Sequence, residues 1–206
     1  MRLLCATRNP DKVGELREAL RALPVALLSL DDLPPLPEVA ETGDTLEENA
    51  LLKARSAYRA SGEASLADDT GLEVDALGGR PGVRSARYAG PGADYERNVT
   101  KLLREMEGIP PERRGARFRT VIAVLLPDGS EHLAHGSCVG RILDARRGSG
   151  GFGYDPVFWV PEVGRTFAEM GLAEKNRISH RGRAVRAARQ VLVDYLAAHR
   201  GANPEN

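Results

Sequence analysis

The chain carries no net charge. Lys plus Arg and Asp plus Glu balance at 29 each, so no global field draws it to nucleic acid or to an anionic membrane. A local basic pocket remains compatible with that balance. There is no long hydrophobic run either: none approaches the ~20 apolar residues that a bilayer crossing needs. The opening MRLLCATRNP has a very short apolar stretch followed by polar residues and a proline, which does not read as a signal peptide. Cysteine is scarce. Cys5 and Cys138 lie far apart in apolar surroundings with no CxxC partner, so they are expected to be buried reduced thiols in a cytoplasmic protein. Lysine is scarce too. Of the 29 basic residues 25 are Arg, and the only lysines are Lys12, Lys53, Lys101 and Lys175. In such a chain a Lys either marks a place where a compact ammonium suits better than a planar fork or falls there by chance.

What is present suffices for a real core. The 206 residues, 42% apolar and 28% charged, allow one large domain or two closely joined lobes. RLLCAT (2–7) reads as a buried strand. Asn9 then caps a helix over 10–23, with Pro10 at its first position, Asp11 in its first turn, and Val13, Leu16, Leu20 and Leu23 on one face. VALLSL (25–30) is a second strand, so the chain opens as an α/β fold. The segment 31–44, with three prolines, reads as a loop. Thr45 and Glu48 form a capping box for a helix ending near Ser61 and Gly62. After it, ASLA is expected to end a strand, DDTG to turn, LEVDAL to form a further strand and GGRPG to turn again. Asp94 caps a helix over 93–107. Residues 116–127 form the strongest strand, joined by the PDGS turn to its hairpin partner EHLAHGSCVGRIL. GSGGFGYDP is a Gly-rich loop before VFWV, and Ser179 caps a closing helix over 180–198. No linker or internal repeat divides the chain, so residues 1–206 are read as a single two-lobed domain.

Five segments carry chemistry. In TRNPDK the free N–H groups at a helix start favour an anion, and Lys12 and Arg8 add positive charge. The same segment also suits a plain strand-to-helix connection, since it is no GxxxxGK[ST] loop. Glu41 and Asp44 precede a helix that carries Lys53. They are either a solvated acidic cap or, for Glu41, a hard oxygen ligand to Mg²⁺ beside substrate phosphates. Asp68 and Asp69 are adjacent like charges, expected at a strand end, where α/β folds place ligands. Either both point into water or a cationic partner waits for at least one of them, and a metal would relieve their repulsion. GGFGYD offers close backbone approach and, at Phe152, a ring to stack on a planar base, or else it is a flexible turn. Lys175, His180 and Arg181 gather around a helix start, where positive charge opposes the dipole and calls for a partner. His132 and His135 have no third ligand at metal spacing and are read as structural, on opposite faces of a strand.

Taken in order, ATRNPDK, ETGDTLEENALLKA, LADDTGLEVDALGGRPGVRSARYAG, GSGGFGYDPVF and EKNRISHRG make the chain similar to the inosine triphosphate pyrophosphatase family, the Ham1-like XTP/dITP diphosphatases. The matching segments span residues 6 to 182. The resemblance implies a two-lobed α/β fold, with a central mixed sheet flanked by helices and a nucleotide cleft between the lobes. It implies Mg²⁺-dependent cleavage of dITP, ITP or XTP to the monophosphate and pyrophosphate, and a homodimer with neither nucleic-acid nor membrane partners. Carried over residue by residue, it puts Thr7, Arg8, Asn9, Pro10, Asp11, Lys12 and Lys53 at the triphosphate, with Glu41 and Asp69 at Mg²⁺. Asp69 becomes the base that activates water, and Asp68 its acidic neighbour. Thr70 contacts substrate, and Phe152 stacks on the base with Gly153, Tyr154 and Asp155 completing that wall. Lys175, His180 and Arg181 read the 6-oxo edge. Two departures stand out: Arg8 occupies a position where many members have Gly, and Thr70 one where many have Ser.

A 6-oxo group accepts hydrogen bonds where adenine would leave donors unpaired, a penalty of roughly tenfold to hundredfold per contact. Guanine also has a 6-oxo group, and its rejection is not legible in the sequence. Two rival readings are a nucleotide-binding regulator without turnover, against which the intact Glu41 and Asp69 argue, and a nucleic-acid-processing enzyme using the acidic pair. Zero net charge and the lack of a basic stripe argue against the second rival.

Overall fold

The structure is a computed structural model and describes residues 1–34 and 39–199. Residues 35–38 of the expected 31–44 loop lie outside the described residues. In chain order the regular elements begin with β1 (Arg2–Cys5), α1 (Pro10–Leu20), β2 (Ala26–Ser29), α2 (Leu46–Ser61), β3 (Ala64–Val74) and β4 (Pro81–Gly82). They continue with α3 (Tyr95–Glu105), β5 (Gly115–Leu125), β6 (Glu131–Ile142), β7 (Phe158–Val160), β8 (Arg165–Thr166), α4 (Leu172–Ile178) and α5 (His180–Ala198). The strand order is β2-β1-β3-β5-β6-β7-β8, with β4 paired to β3. β2 and β3 both run parallel to β1, whereas β4, β7 and β8 pair antiparallel. This is a mixed sheet with helices, the expected α/β class.

The chain divides into two compact units. The first takes Met1–Asp69, Val121–His135 and the chain from Ala184 on; the second takes Thr70–Thr120 and Gly136–Arg183. The first unit is a β-α-β-α-β arrangement. Because β2 and β3 flank β1 on opposite sides, right-handed crossovers place α1 and α2 on opposite faces. Alternation along the strands shows which face is which. Leu3, Cys5, Ala64 and Leu66 pack with Leu16 and Leu20 of α1 and with Ala184, Ala188 and Leu192 of α5. On the other face the Ser65 hydroxyl donates to the Ala54 carbonyl of α2 at 2.8 Å. The second unit has its own core, in which Val99, Leu102 and Met106 of the α3 segment meet Leu72, Val74, Phe118, Phe158 and Phe167.

Most local signals behave as read. Asn9 accepts from the N–H groups of Asp11 and Lys12, the Thr45–Glu48 capping box closes on itself, and Gly62 ends α2 with φ 71°. Asp94 caps α3 through the Arg97 N–H, and Ser179 accepts from the Gly182 N–H at the start of α5. One expectation is overturned. Asp68-Asp69-Thr70-Gly71 is not a turn at a strand end but the middle of β3, one continuous 11-residue strand. Asp and Gly are poor strand formers and good turn formers, yet here ladder pairing and charge partners override that preference. LEVDAL is also shorter as a strand than expected, since Asp75–Leu77 forms a 3-10 turn.

Candidate active site

The continuity of β3 resolves the problem of its adjacent acids. Successive side chains of a strand point to opposite faces, so Asp68 follows Leu66 toward α1 and Asp69 follows Ser65 toward α2. Each meets a lysine there. Lys12, in the first turn of α1, places Nζ 2.9 Å from Asp68 Oδ2. Lys53, in the middle of α2, places Nζ 2.7 Å from Asp69 Oδ1 and 3.0 Å from Glu41 Oε1. Both aspartates are buried, and a buried acid needs such a partner to keep its charge.

Electrostatics distinguish these groups. Burial pushes the Asp69 carboxyl up to about 6; the charge and hydrogen bond of Lys53 pull the other way, and the Glu41 carboxylate adds to the rise. At Lys53 burial opposes the charge, but Asp69, Asp68 and Glu41 outweigh it and hold its pKa above the ordinary value. Burial, aided by Asp68, pushes the Cys5 thiol up to about 12, which makes it the inert thiol the sequence suggested. Cys138 is likewise buried and free.

The loops around these acids are held by short-range contacts. The Thr7 hydroxyl accepts from the Asn9 N–H at 3.2 Å, and Asn9 Oδ1 accepts from the Asp11 N–H at 2.9 Å. The segment Thr7, Arg8, Asn9, Pro10, Asp11 is thereby folded tightly into the start of α1, with Arg8 exposed. The loop that follows Glu41 is pinned at Gly43, whose N–H donates to Asn49 Oδ1 at 2.8 Å and whose carbonyl accepts from Asn49 Nδ2 at 3.3 Å. A Cβ at Gly43 would lie 2.6 Å from Glu48 Cβ, so only glycine fits there. Sequence reasoning passed over Asn49, because a side chain acting six residues back along the chain leaves no local signal.

Whether a divalent cation fits can be judged from the donor set. Glu41 and Asp69 both reach one Nζ, so their oxygens lie no farther apart than those two contacts together allow. Two hard carboxylate donors in one spot match the preference of Mg²⁺, which takes one or two carboxylates and completes its shell with water and phosphate oxygens. Among the described residues no group of three or more His, Cys, Asp or Glu side chains forms a ready-made metal cage.

The second unit gathers the remaining candidates. Phe152 sits on the Gly-rich loop, and its N–H donates to Asp155 Oδ2 at 2.9 Å. Lys175 of α4 donates to the same oxygen at 2.7 Å, and Lys175 and Asp155 are only 4% and 3% exposed. A Cβ at Gly151 would collide with that carboxylate, and Gly151 has φ 69°. Asp155 therefore acts within the loop as a clamp that fixes Phe152. Lys175 Nζ lies 4.7 Å from the Phe152 ring centroid and Arg181 Cζ 5.2 Å from it. Arg181 Nη2 also reaches Thr70 Oγ1 at 3.4 Å, and Thr70 shares a 2.8 Å hydrogen bond with the buried Thr120 hydroxyl.

Tyr154, expected in the base wall, and His180, expected at the 6-oxo edge, are both buried. The Tyr154 hydroxyl donates to the Ser85 carbonyl at 2.9 Å, and burial drives its pKa well above the ordinary value. His180 is buried, its ring stacked on Phe118 at 4.3 Å with Phe167 at 5.8 Å. Gly153, at φ 63°, supplies the turn between Phe152 and Tyr154. His132 and His135 are exposed on β6, near Ser130 and Glu47 respectively.

The family model described as Ham1 family matches residues 3–191. The chain belongs to the Ham1 family. Among members, a Geobacter sulfurreducens protein named dITP/XTP pyrophosphatase is 54% identical over 195 residues, covering 95% of this chain and 96% of the relative. A Thermus thermophilus protein of the same name is 54% identical, covering 94% and 93%. The Ham1 protein of Coxiella burnetii superposes with a TM-score of 0.87 at 39% identity, covering 94% of this chain and 99% of that one. This Ham1 chain thus spans nearly the whole length of its relatives, and all five motif segments fall within the matched residues.

Proposed function

We propose that this Ham1-family chain is a dITP/XTP pyrophosphatase that hydrolyses non-canonical purine nucleoside triphosphates to the monophosphate and pyrophosphate, removing them from the nucleotide pool. The observation that carries the reading is the pairing of Asp68 with Lys12 and of Asp69 with Lys53 and Glu41. Acids and ammoniums in this arrangement suit a polyanion and an attacking water together.

The phosphate chemistry is assigned to the first unit. Lys12, Lys53 and the α1 N-terminal amides receive the phosphate charge, and Thr7, Arg8, Asn9, Pro10 and Asp11 shape the approach. Mg²⁺ is the cation we assign to Glu41 and Asp69; bound there it would screen phosphate charge and lower the pKa of a coordinated water. Asp69 orients the attacking water and takes its proton on a carboxylate oxygen, a role suited to a pKa raised toward neutrality. The water oxygen joins phosphorus, the bridging P–O bond between the α- and β-phosphates breaks, and its electron pair leaves with pyrophosphate.

Base recognition is assigned to the second unit. Phe152 stacks on the purine, and Arg181 donates to the 6-oxo group while Thr70 contacts substrate beside it. Lys175 and Asp155 fix the Phe152 loop, and His180, Gly153 and Tyr154 support it from within. We further propose that the protein works as a cytoplasmic homodimer, which light scattering of the purified protein tests. The function itself is tested with a panel of triphosphates and Mg²⁺. dITP and XTP should release pyrophosphate far faster than dATP, whereas equal rates on dATP would refute the assigned selectivity.

A further inference from the structure

Tyr95 has no part in the reading above, yet it is one of the few large apolar side chains exposed among the described residues, at 43%. Its ring centroid lies 5.9 Å from that of Phe152, with the planes 35° apart. Both rings have fixed supports. Tyr95 is the first residue of α3, directly after the Asp94 cap, and α3 is anchored by the buried Val99 and Leu102. The same helix holds the 85–90 segment, because Asn98 accepts from the Ala89 N–H at 2.7 Å and donates to the Ala86 carbonyl at 3.0 Å. Phe152 is fixed by the Asp155 clamp. Two aromatic rings, both on anchored backbone and one of them left open to solvent, make a wider stacking surface than Phe152 alone.

We propose that Tyr95 is a base-binding residue that extends the Phe152 platform for the purine. The inference rests on the assignment of Phe152 to the base. A tilted aromatic neighbour adds contact area at little entropy cost, since its ring is already placed, and base stacking on such rings is tolerant of the hydrogen-bonding edge. Tyr95 therefore contributes affinity for the nucleobase and leaves the phosphates untouched. The phenol hydroxyl is not required, so Tyr95→Phe keeps the function.

The test is calorimetric binding of dIMP and, separately, of pyrophosphate to the full chain and to Tyr95→Ala, Tyr95→Phe, Phe152→Ala and the double alanine variant. The expected result is a weakening of dIMP binding by Tyr95→Ala of about two- to tenfold, with pyrophosphate binding unchanged and Tyr95→Phe like wild type. The double variant should lose less than the product of the two single losses, because the rings act as one surface. If Phe152→Ala weakens dIMP binding and Tyr95→Ala does not, the inference falls and the base assignment of Phe152 stands. If neither does, both fall. Equal weakening of dIMP and pyrophosphate by Tyr95→Ala, with an unchanged melting temperature, also overturns the proposal.

Discussion

The residues that matter most are three acids and two lysines on three elements and one loop, and their pairings have measurable consequences. Asp69 has an ordinary pKa of 3.8 and a folded value of about 6. Between those values the folded chain binds this proton more tightly than the unfolded chain, so the contribution of Asp69 to stability falls as pH rises through that window. Asp69→Asn removes the effect. Urea unfolding in the presence of a chelator should therefore show the variant gaining on wild type between about pH 4 and about pH 7. A constant difference across that range would contradict the assignment. At the proposed base site, Arg181→Lys keeps the charge but loses the planar guanidinium beside Phe152 and Thr70. It should raise KM for dITP about tenfold or more and narrow the preference over dATP. Much of this was legible in the residues. A chain nearly without lysine placed three of its four at Lys12, Lys53 and Lys175, and all three hold buried carboxylates. What could not be read was that Asp68 and Asp69 face apart, because that follows only once DDTG is known to lie inside a strand.

At the level of elements, local signals were the readable ones. Helices α1, α2 and α3 begin at side-chain caps, and a cap is a contact of two or three residues that a sequence displays directly. α4 has seven residues and no side-chain cap, so nothing marked its start. The Gly43–Asn49 and Gly151–Asp155 contacts were invisible for the same reason in reverse, since each depends on how a loop closes. These clamps predict large effects from small changes. Gly151→Ala forces a side chain into the Asp155 carboxylate at a positive φ, which should cost about 1–3 kcal/mol and weaken nucleotide binding. Asn9→Ala removes the α1 cap, with an expected loss of about 1 kcal/mol. Thermal melts of both variants check these values, and a Gly151→Ala protein of wild-type stability would remove the clamp from the account.

At the scale of the whole molecule, the division between the two units falls between Asp69 and Thr70, so one strand carries both the proposed base and a proposed substrate contact. The α/β class was legible from the opening strand-helix-strand pattern, and family membership from five short segments together, none of which sufficed alone. Ligand binding should stabilise the folded chain as mass action requires. Asp69→Asn saturated with dITP at about a hundred times its Kd should gain about 3 kcal/mol, seen as a clear rise in melting temperature. The most direct test follows product release from dITP and Mg²⁺ by wild type and by Asp69→Asn, with binding of dITP measured in parallel. The account predicts dIMP and pyrophosphate, no orthophosphate, and a variant that binds dITP but turns over at least about a hundredfold more slowly. Orthophosphate as the product, or full turnover by Asp69→Asn, would contradict it.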